Sequence, residues 1–517
     1  MANRLLRIAL VLGVAAAALE PFVFAGSFAG DAQVHLVFAE SASHGRFFEF
    51  NPGERVSGET SPGYMLLEAA LFRVCPAHLV PLTVKAFNLG TWYFFCFLVY
   101  RVARRTLKEP GQGPTDRWAA LAALLAALIP GSVYNANVGM ENGLFALLIW
   151  LWLDLAGRWR WFEPDSELHP ARALGLGVVL GVASWIRPEA WLVAAVLLAF
   201  QLSVRRSAAK GVVLAAAAMA TLGGACIAFQ YAFTGDVIAT SILSRRILAM
   251  KHSVLVGPLT LDATFAKRLA LYAPLTVYAT LGFLAQPESR APMLRVLGLM
   301  FLTFFVFYTA MGAPQLGRYV IFIVPILAVG AARGVRLAWN WKSTRSRIAL
   351  AFAAAAIAAI DVAELSARRG IYSQRLLELA MSAPANRRAR TDELLHELGN
   401  PPRTSVVFAE EPIQDRYGLD ERVVIRSLDG RTDRSLLAFV HGGKVDHPAY
   451  LLSQHVELLG GPVDYDHGNE PPSLWGIESL PVGSMVRRGD LLFRRLPSRR
   501  FAVTVAQSSQ DGTGPPL

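Results

Sequence analysis

The sequence is poor in charged residues and in cysteine. Charged residues make up 17% of its 517 residues, whereas an ordinary soluble domain contains about 25%, so a large soluble enzyme is excluded. The three cysteines, Cys75, Cys96 and Cys226, have neither the spacing of a disulfide framework nor that of a zinc site. A Walker A motif and repeats of solenoid period are also absent from the sequence. This composition indicates burial in a membrane.

Apolar residues, which form 54% of the chain, are arranged in runs that are long enough, or nearly so, to cross a bilayer. The runs lie at 6–26, 83–100, 118–133, 142–157, 171–186, 189–204, 211–232, 269–285, 292–311, 317–332 and 347–362. They predict about eleven transmembrane helices, several of them short enough to require tilting or local thinning of the bilayer. We expect the first run to be a retained helix, and a cleaved secretory signal is the alternative.

Basic residues fall in alternate connections between these runs. They are Arg101, Arg104, Arg105, Lys108, Arg158, Arg160, Arg205, Arg206, Lys210, Arg333, Arg336, Lys342, Arg345 and Arg347. The net charge of +11 is therefore spread as the positive-inside rule predicts, not gathered in a patch for nucleic acid. We assign these connections to the cytoplasm of a bacterium, so the chain is predicted to be a multi-pass inner-membrane protein. Everything after Asp361 is then extracytoplasmic.

Two predicted outer loops have unusual composition. The first, 27–81, contains an amphipathic run at 34–38, the tight turn Asn51-Pro52-Gly53-Glu54 and an apolar stretch at 64–74. Because that stretch is short for a span, we expect it to lie in the membrane interface. The second loop, 234–268, carries Arg245, Arg246, Lys251, His252, Lys267 and Arg268. A basic outer loop opposes the positive-inside pattern, which indicates an anionic partner.

The composition turns polar and mixed after residue 362. Helical patterns at 365–381 and 392–398 precede short strand-like runs at 405–408, 423–425 and 491–493. We predict a polytopic α-helical membrane domain at 1–362, with interfacial helices in its first outer loop. A small α/β or α+β extracytoplasmic domain at 363–506 and a disordered tail at 507–517 follow.

The unusual polar residues within the membrane region all fall on the predicted outer side. They are Asp31, Glu54, Glu141, Arg187, Glu189, Asp236, Arg245 and Arg318. Each has a simpler explanation when it is taken alone: Asp31 as a helix N-cap, Glu141 as a favourable charge at a helix start, and Arg187 as a side chain that reaches lipid headgroups. Their common side nevertheless predicts a functional site.

The same residues carry a resemblance to a known superfamily. Asp31-Ala-Gln-Val, Gly45, the segment 50–56, Gly58 and Thr60 are similar to the first outer loop of GT-C membrane glycosyltransferases. The group most like this chain is the one resembling the mycobacterial terminal arabinofuranosyltransferase. The similarity continues through Gly139-Met140-Glu141, Arg187-Pro188-Glu189, Gly235-Asp236, Arg245, Arg318-Tyr319 and Pro325.

The sequence departs from that group at two points. The group commonly starts the loop with two adjacent acids, whereas Gly30 precedes the single acid Asp31 here. Its Pro-Asn-Thr after the basic loop's Gly is Ala239-Thr240-Ser241 here, and its following Lys corresponds to Arg245. The departures leave the sugar and any metal requirement open. The residues require no cofactor, and a divalent cation stays an open alternative.

The resemblance implies a polyprenyl-phosphate sugar donor and a hydroxyl acceptor on an envelope glycan, lipid or protein. Asp31 would be the catalytic base. The anionic lipid phosphate would be held by Arg245, Arg246, Lys251, Arg187 and Arg318. Glu141, Glu189, Asp236 and Glu54 would bind the sugar or orient other groups. For Glu141 and Glu189 the alternatives are binding sugar hydroxyls, orienting an arginine or contributing to a cation site. A flippase or transporter of polyprenyl-linked sugars and a non-catalytic subunit of envelope glycan assembly are the alternatives.

Overall fold

Helices dominate the first 340 residues of the computed structural model. The structure describes residues 15, 18, 28 and 30–243, with gaps at 109–115, 129–135, 164–168, 206–207 and 241. It also describes 277–284, 292–310, 321–340 and short segments between 388 and 505. In chain order the helices are α1 (Gly30–Ser43), α2 (Pro62–Val74), α3 (Val80–Thr106), α4 (Asp116–Ala127), α5 (Asn142–Arg158), α6 (Pro170–Ile186), α7 (Ala190–Val204), α8 (Ala209–Thr234), α9 (Pro292–Ala310) and α10 (Val324–Asn340).

Most of the predicted spans coincide with these helices. The apolar runs at 83–100, 142–157, 171–186, 189–204, 211–232 and 292–311 are confirmed as helical by α3, α5, α6, α7, α8 and α9. Among the described residues, Ala77–Thr106 and Ala209–Thr234 are long and apolar enough to cross a membrane. The run at 347–362 lies outside the described residues, and only residues 15 and 18 of the run at 6–26 are described. The count of about eleven spans therefore stays a prediction.

The last described membrane-region helix differs from its predicted position. The run at 317–332 was expected to be helical, but 321–323 form a turn and α10 extends to Asn340. Arg333 and Arg336, which we expected in a cytoplasmic connection, are therefore buried within the helix. Arg333 donates to the Gly282 carbonyl at 2.7 Å, and Arg336 donates to the Leu107 carbonyl at the end of α3. Backbone carbonyls thus accept from both guanidinium groups, which satisfies buried donors that would otherwise need water.

Glycines allow α6 and α8 to pack closely. A Cβ added at Gly177 would meet the backbone oxygen of Ala215, and one added at Gly181 would lie 2.6 Å from Leu222 Cβ. Small residues at such positions are typical of close helix packing in membrane proteins.

We expect Gly177→Ala to destabilise the protein by roughly 1–3 kcal/mol, because the methyl group must displace backbone atoms of α8. Thermal unfolding of the detergent-solubilised protein, followed by tryptophan fluorescence, measures the change. The matched control is Gly224→Ala, since a Cβ at Gly224 meets nothing within 4 Å. Equal melting temperatures for the two variants would contradict the close contact.

The segment predicted to be the first outer loop folds back on itself between α1 and α3. Strands β1 (Glu49–Asn51) and β2 (Glu54–Arg55) form an antiparallel hairpin, and Gly53 at its turn has φ +80°, which favours glycine. The turn was predicted correctly. The run at 34–38 was predicted to be amphipathic, but residues 35–38 are all buried, because β1 and α2 cover the face expected to be exposed. The interfacial position predicted for 64–74, now part of α2, stays a prediction.

A mixed β-sheet is described near the C-terminus. Its strands are β3 (Thr404–Phe408), β4 (Val423–Arg426), β7 (Val456–Gly460), β8 (Met485–Arg488), β9 (Leu491–Arg495) and β10 (Phe501–Val505), in the order β4-β3-β7-β10-β9-β8. β3 runs parallel to both β4 and β7, and the other pairs are antiparallel. A separate hairpin joins β5 (Val440–His441) to β6 (Lys444–Val445). The strands predicted at 405–408, 423–425 and 491–493 are confirmed, whereas the predicted helix at 365–381 lies outside the described residues.

Candidate functional site

Charged side chains gather where several helix ends meet. The buried polar cluster consists of His35 on α1, Glu59 before α2, Glu141 before α5, and Arg187 and Glu189 in the turn between α6 and α7. The first four are buried, and the Glu189 side chain is 12% exposed. Buried charges are costly unless they are paired, and here every charge has an opposite partner. The arrangement therefore holds four chain segments in one place.

His35 lies between two carboxylates. Its Nδ1 is 2.6 Å from Glu59 Oε2, and its Nε2 is 3.1 Å from Glu141 Oε2. A neutral imidazole can donate from one nitrogen only, so two carboxylate partners favour the imidazolium form. Burial lowers the pKa of His35, but the charge of Glu59 and the hydrogen bond with Glu141 outweigh burial and raise this pKa well above 6.5.

Arg187 connects Glu141 to Glu189. Its Nη1 donates to Glu141 Oε1 at 2.8 Å and also to Asn142. Its Nη2 and Nε donate to the two oxygens of Glu189 at 2.6 and 3.2 Å. Glu141 thus lies between two cations. Burial would raise the pKa of Glu141, but the hydrogen bond from His35 and the charge of Arg187 lower it to about 2.

Asp31 lies on α1, the helix that carries His35 of the buried polar cluster. It lies in the first turn of the helix, four residues before His35. Residues four apart share one helix face and are separated by about 6 Å along the axis. The side chain of Asp31 is partly exposed, unlike His35. Asp31 is thus an acid beside the buried polar cluster that is partly exposed.

Neighbouring side chains support the loop that carries Glu141. The Tyr64 hydroxyl donates to Asn88 Oδ1 at 3.1 Å, and Asn88 Nδ2 donates to the Met140 carbonyl at 3.3 Å. Lys85, one turn before Asn88, donates to the Asn137 carbonyl. Glu68, on the same face of α2 as Tyr64, is fully buried and its two oxygens have no hydrogen-bond partner. Burial raises the pKa of Glu68 well above 4.5, so its carboxyl group is held neutral.

Asp236 joins a second network at the end of α8. Ser57 Oγ donates to Asp236 Oδ2 at 2.8 Å, and the Thr240 backbone amide donates to the Ser57 carbonyl at 2.9 Å. Ser57 lies two residues before Glu59, so this contact ties the segment after α8 to the segment before α2. Glu54 accepts from Asn51 Nδ2 at 3.2 Å within the hairpin.

The structure brings together only part of the predicted site. Glu141, Arg187 and Glu189 are in direct contact, and Asp31 lies one turn from their partner His35. Arg245, Arg246, Lys251 and Arg318 lie outside the described residues. Among the residues that are described, no group of three or more His, Cys, Asp or Glu could hold a metal ion.

Sequence reasoning missed His35 and Glu59 as members of the site. Both carried a signal: His35 is one helical turn after Asp31, and Glu59 lies between Gly58 and Thr60 in the stretch that resembles the GT-C loop. A single histidine near a membrane interface is usually only a surface residue, however. The two residues meet because the hairpin reverses the chain between them.

The ion pairs of the buried polar cluster predict a bell-shaped pH dependence of stability. The contribution of Glu141 is complete above pH 4.5 and is lost as the pH falls toward 2. That of His35 is complete below pH 6.5 and is lost as the pH rises through its raised pKa. We therefore expect the melting temperature to fall in the wild type as the pH rises above 6.5, and to fall less in His35→Gln. The control is His78→Gln, because His78 is exposed. If the melting temperature of both variants depends on pH as that of the wild type does, the assignment of this pH dependence to His35 is wrong.

Comparisons with known proteins identify the fold. No protein-family model and no curated protein sequence matches the chain. The apo structure of ArnT from Cupriavidus metallidurans is similar with a TM-score of 0.54 and 13% identity, over 96% of this chain and 98% of that one. ArnT bound to undecaprenyl phosphate gives 0.50 and 12% identity, over 98% and 99%. The apo oligosaccharyltransferase of Archaeoglobus fulgidus gives 0.51 and 13% identity, over 87% and 69%. The chain is thus a helical membrane protein with the GT-C fold.

Proposed function

We propose that this protein is an inverting glycosyltransferase that moves a sugar from a polyprenyl-phosphate donor to a hydroxyl group. The observation that carries the proposal is the position of Asp31, a partly exposed acid one turn from the buried polar cluster, within a GT-C fold. The ArnT structure with undecaprenyl phosphate, which aligns over 98% of this chain, supports a lipid-linked donor.

Asp31 is the general base of the proposed reaction. The acceptor oxygen attacks the anomeric carbon, and Asp31 takes the hydroxyl proton as the new glycosidic bond forms. The bond between the anomeric carbon and the phosphate oxygen breaks, and the polyprenyl phosphate leaves with the electron pair.

The phosphate is assigned to cations other than Arg187. The Nη1, Nη2 and Nε atoms of Arg187 all donate to Glu141, Asn142 or Glu189, so we propose that Arg187 positions these residues. In this proposal Arg187 has a positioning role instead of the phosphate contact expected from the sequence. Among the alternatives for Glu141 and Glu189, the proposal favours orientation of an arginine. Arg245, Arg246, Lys251 and Arg318 remain the proposed phosphate ligands, with Asp236 anchoring the segment before the first three.

The remaining sequence predictions form part of the proposal. The site end of the helix bundle faces the outside of a bacterial inner membrane, where the acceptor is an envelope glycan, lipid or protein. Residues 363–506 form an extracytoplasmic domain that contributes to acceptor binding. The candidate sugars are a pentofuranose, a hexose such as mannose and an amino sugar.

The test is a transfer assay with purified protein in lipid nanodiscs. Labelled polyprenyl-phosphate arabinofuranose, mannose and an amino sugar are each offered with candidate envelope acceptors, and we expect one donor to yield a labelled glycan and free polyprenyl phosphate. If the protein binds a donor but transfers its sugar to no acceptor, the enzyme proposal fails. Movement of intact donor across the bilayer in the same samples would then identify a flippase.

A further inference from the structure

An unbalanced group of arginines lies at the opposite end of α5 from the buried polar cluster. The arginine cluster consists of Arg101 and Arg105 on α3 and Asp154 and Arg158 on α5. Arg105 Nη1 is 2.5 Å from Asp154 Oδ1, Arg101 Nε is 3.2 Å from the same oxygen, and Arg158 Nε is 3.5 Å from Asp154 Oδ2. Asp154 follows Glu141 by thirteen residues, which is about 20 Å along a helix. The two groups are therefore separate.

The arginine cluster carries more positive charge than its single acid balances. Three guanidinium groups share one carboxylate, so the net charge is 3 − 1 = +2. The Asp154 side chain is 2% exposed, whereas those of Arg101 and Arg158 are 22% and 49% exposed. Arg101 and Arg158 approach Asp154 with Nε, at 3.2 and 3.5 Å, and their guanidinium groups carry further N–H donors. This geometry suits an anion with several oxygens.

An apolar stripe on α3 leads directly to these arginines. Phe94, Phe97 and Arg101 lie three and four residues apart and so share one face of the helix. Both phenyl rings are about half exposed and are stacked with their centroids 6.1 Å apart. The Arg101 guanidinium lies 5.5 Å from the Phe97 ring centroid. Since α3 is long and apolar enough to cross a membrane, this face presents an apolar surface ending in a cationic one.

We propose that the arginine cluster binds the phosphate of an anionic glycerophospholipid of the surrounding leaflet. The terminal guanidinium nitrogens of Arg101 and Arg158 donate to the phosphate oxygens, and an acyl chain lies along Phe94 and Phe97. Arg105 remains bound to Asp154 and keeps that buried acid neutralised. The bound lipid joins the ends of α3 and α5, and this site is independent of the proposed transfer reaction.

Native mass spectrometry of the detergent-solubilised full chain tests the site. Wild type is titrated with phosphatidylglycerol and with phosphatidylcholine of the same acyl chains. We expect tighter binding of phosphatidylglycerol, and an affinity about tenfold lower in the double variant Arg101→Gln/Arg158→Gln. The Arg105–Asp154 pair persists in this variant, so the buried acid keeps a partner. The control is Arg104→Gln/Arg160→Gln, which removes the same charge from arginines paired with Asp116 and Glu163.

Four results would overturn the proposal. Equal losses of phosphatidylglycerol affinity in the two double variants would show that binding depends only on the general surface charge. Equal wild-type affinity for the two phospholipids would exclude recognition of the negative charge, and this comparison does not depend on the folding of any variant. Displacement of phosphatidylglycerol by millimolar inorganic phosphate would identify a site for the free ion. Tighter binding of undecaprenyl phosphate than of phosphatidylglycerol would assign the site to the carrier lipid instead.

Discussion

Asp31→Asn is expected to slow sugar transfer by a factor of about 10²–10⁴ while leaving donor binding unchanged. The substitution keeps the shape of the side chain but removes its ability to take a proton from the acceptor hydroxyl. Because Asp31 is partly exposed at the start of α1, the change should disturb the buried polar cluster little. The rate is measured with the labelled donor in nanodiscs, and donor binding is measured separately by filter retention.

The control for this variant is Glu40→Gln, which removes an acid from the same helix more than two turns away. It should transfer sugar at nearly the wild-type rate. Equal activity of Asp31→Asn and wild type would assign Asp31 to helix capping and place the base elsewhere. Equal loss of transfer and of donor binding in Asp31→Asn would instead indicate that the acid contributes to the donor site.

Arg187→Gln is expected to destabilise the protein by about 3–5 kcal/mol, because it leaves Glu141 and Glu189 buried with one cation fewer. The cost of breaking a buried ion pair comes mainly from the charge left behind. Thermal unfolding at pH 7, followed by tryptophan fluorescence in nanodiscs, measures the effect. The variant should also lose transfer activity, since the loop that carries Glu141 is no longer held.

A second substitution tests this explanation. Glu141→Gln in the Arg187→Gln background removes one of the stranded charges, so the double variant should be more stable than Arg187→Gln alone. Arg46→Gln is the matched control, because Arg46 and its partner Glu421 are 40% and 71% exposed and such pairs contribute about 0–1 kcal/mol. A similarly small effect of Arg187→Gln would mean that solvent reaches the cluster.

The positions of the long helices could be predicted because each depends on its own residues. The apolar runs that became α3, α5, α6, α7 and α8 are continuous, and membrane burial of a helix requires only that continuity. α10 was placed too early because Arg333 and Arg336 resembled a connection to solvent. Their acceptors are carbonyls of Gly282 and Leu107, residues far away in the chain, and hydropathy holds no information about such partners.

Part of the candidate site could be predicted for a similar reason. Glu141, Arg187 and Glu189 stood out because ionisable residues at helix ends in an apolar sequence are costly. Their pairing could not be predicted, since Glu141 and Arg187 are separated by two helices and a connection. Glu59 was missed because its partner His35 is 24 residues away across the hairpin.

By itself, the sequence determined that this is a helical membrane protein with polar groups at the ends of its helices, because composition and periodicity act locally. The charge state of the buried polar residues was decided only by the tertiary structure. His35 is held as an imidazolium and Glu68 as a neutral acid by neighbours that the fold brings close or keeps away. The separation of a paired buried cluster at one end of α5 from an unbalanced arginine cluster at the other also follows from packing. The energy of a charge depends on what surrounds it in space, which the order of residues does not state.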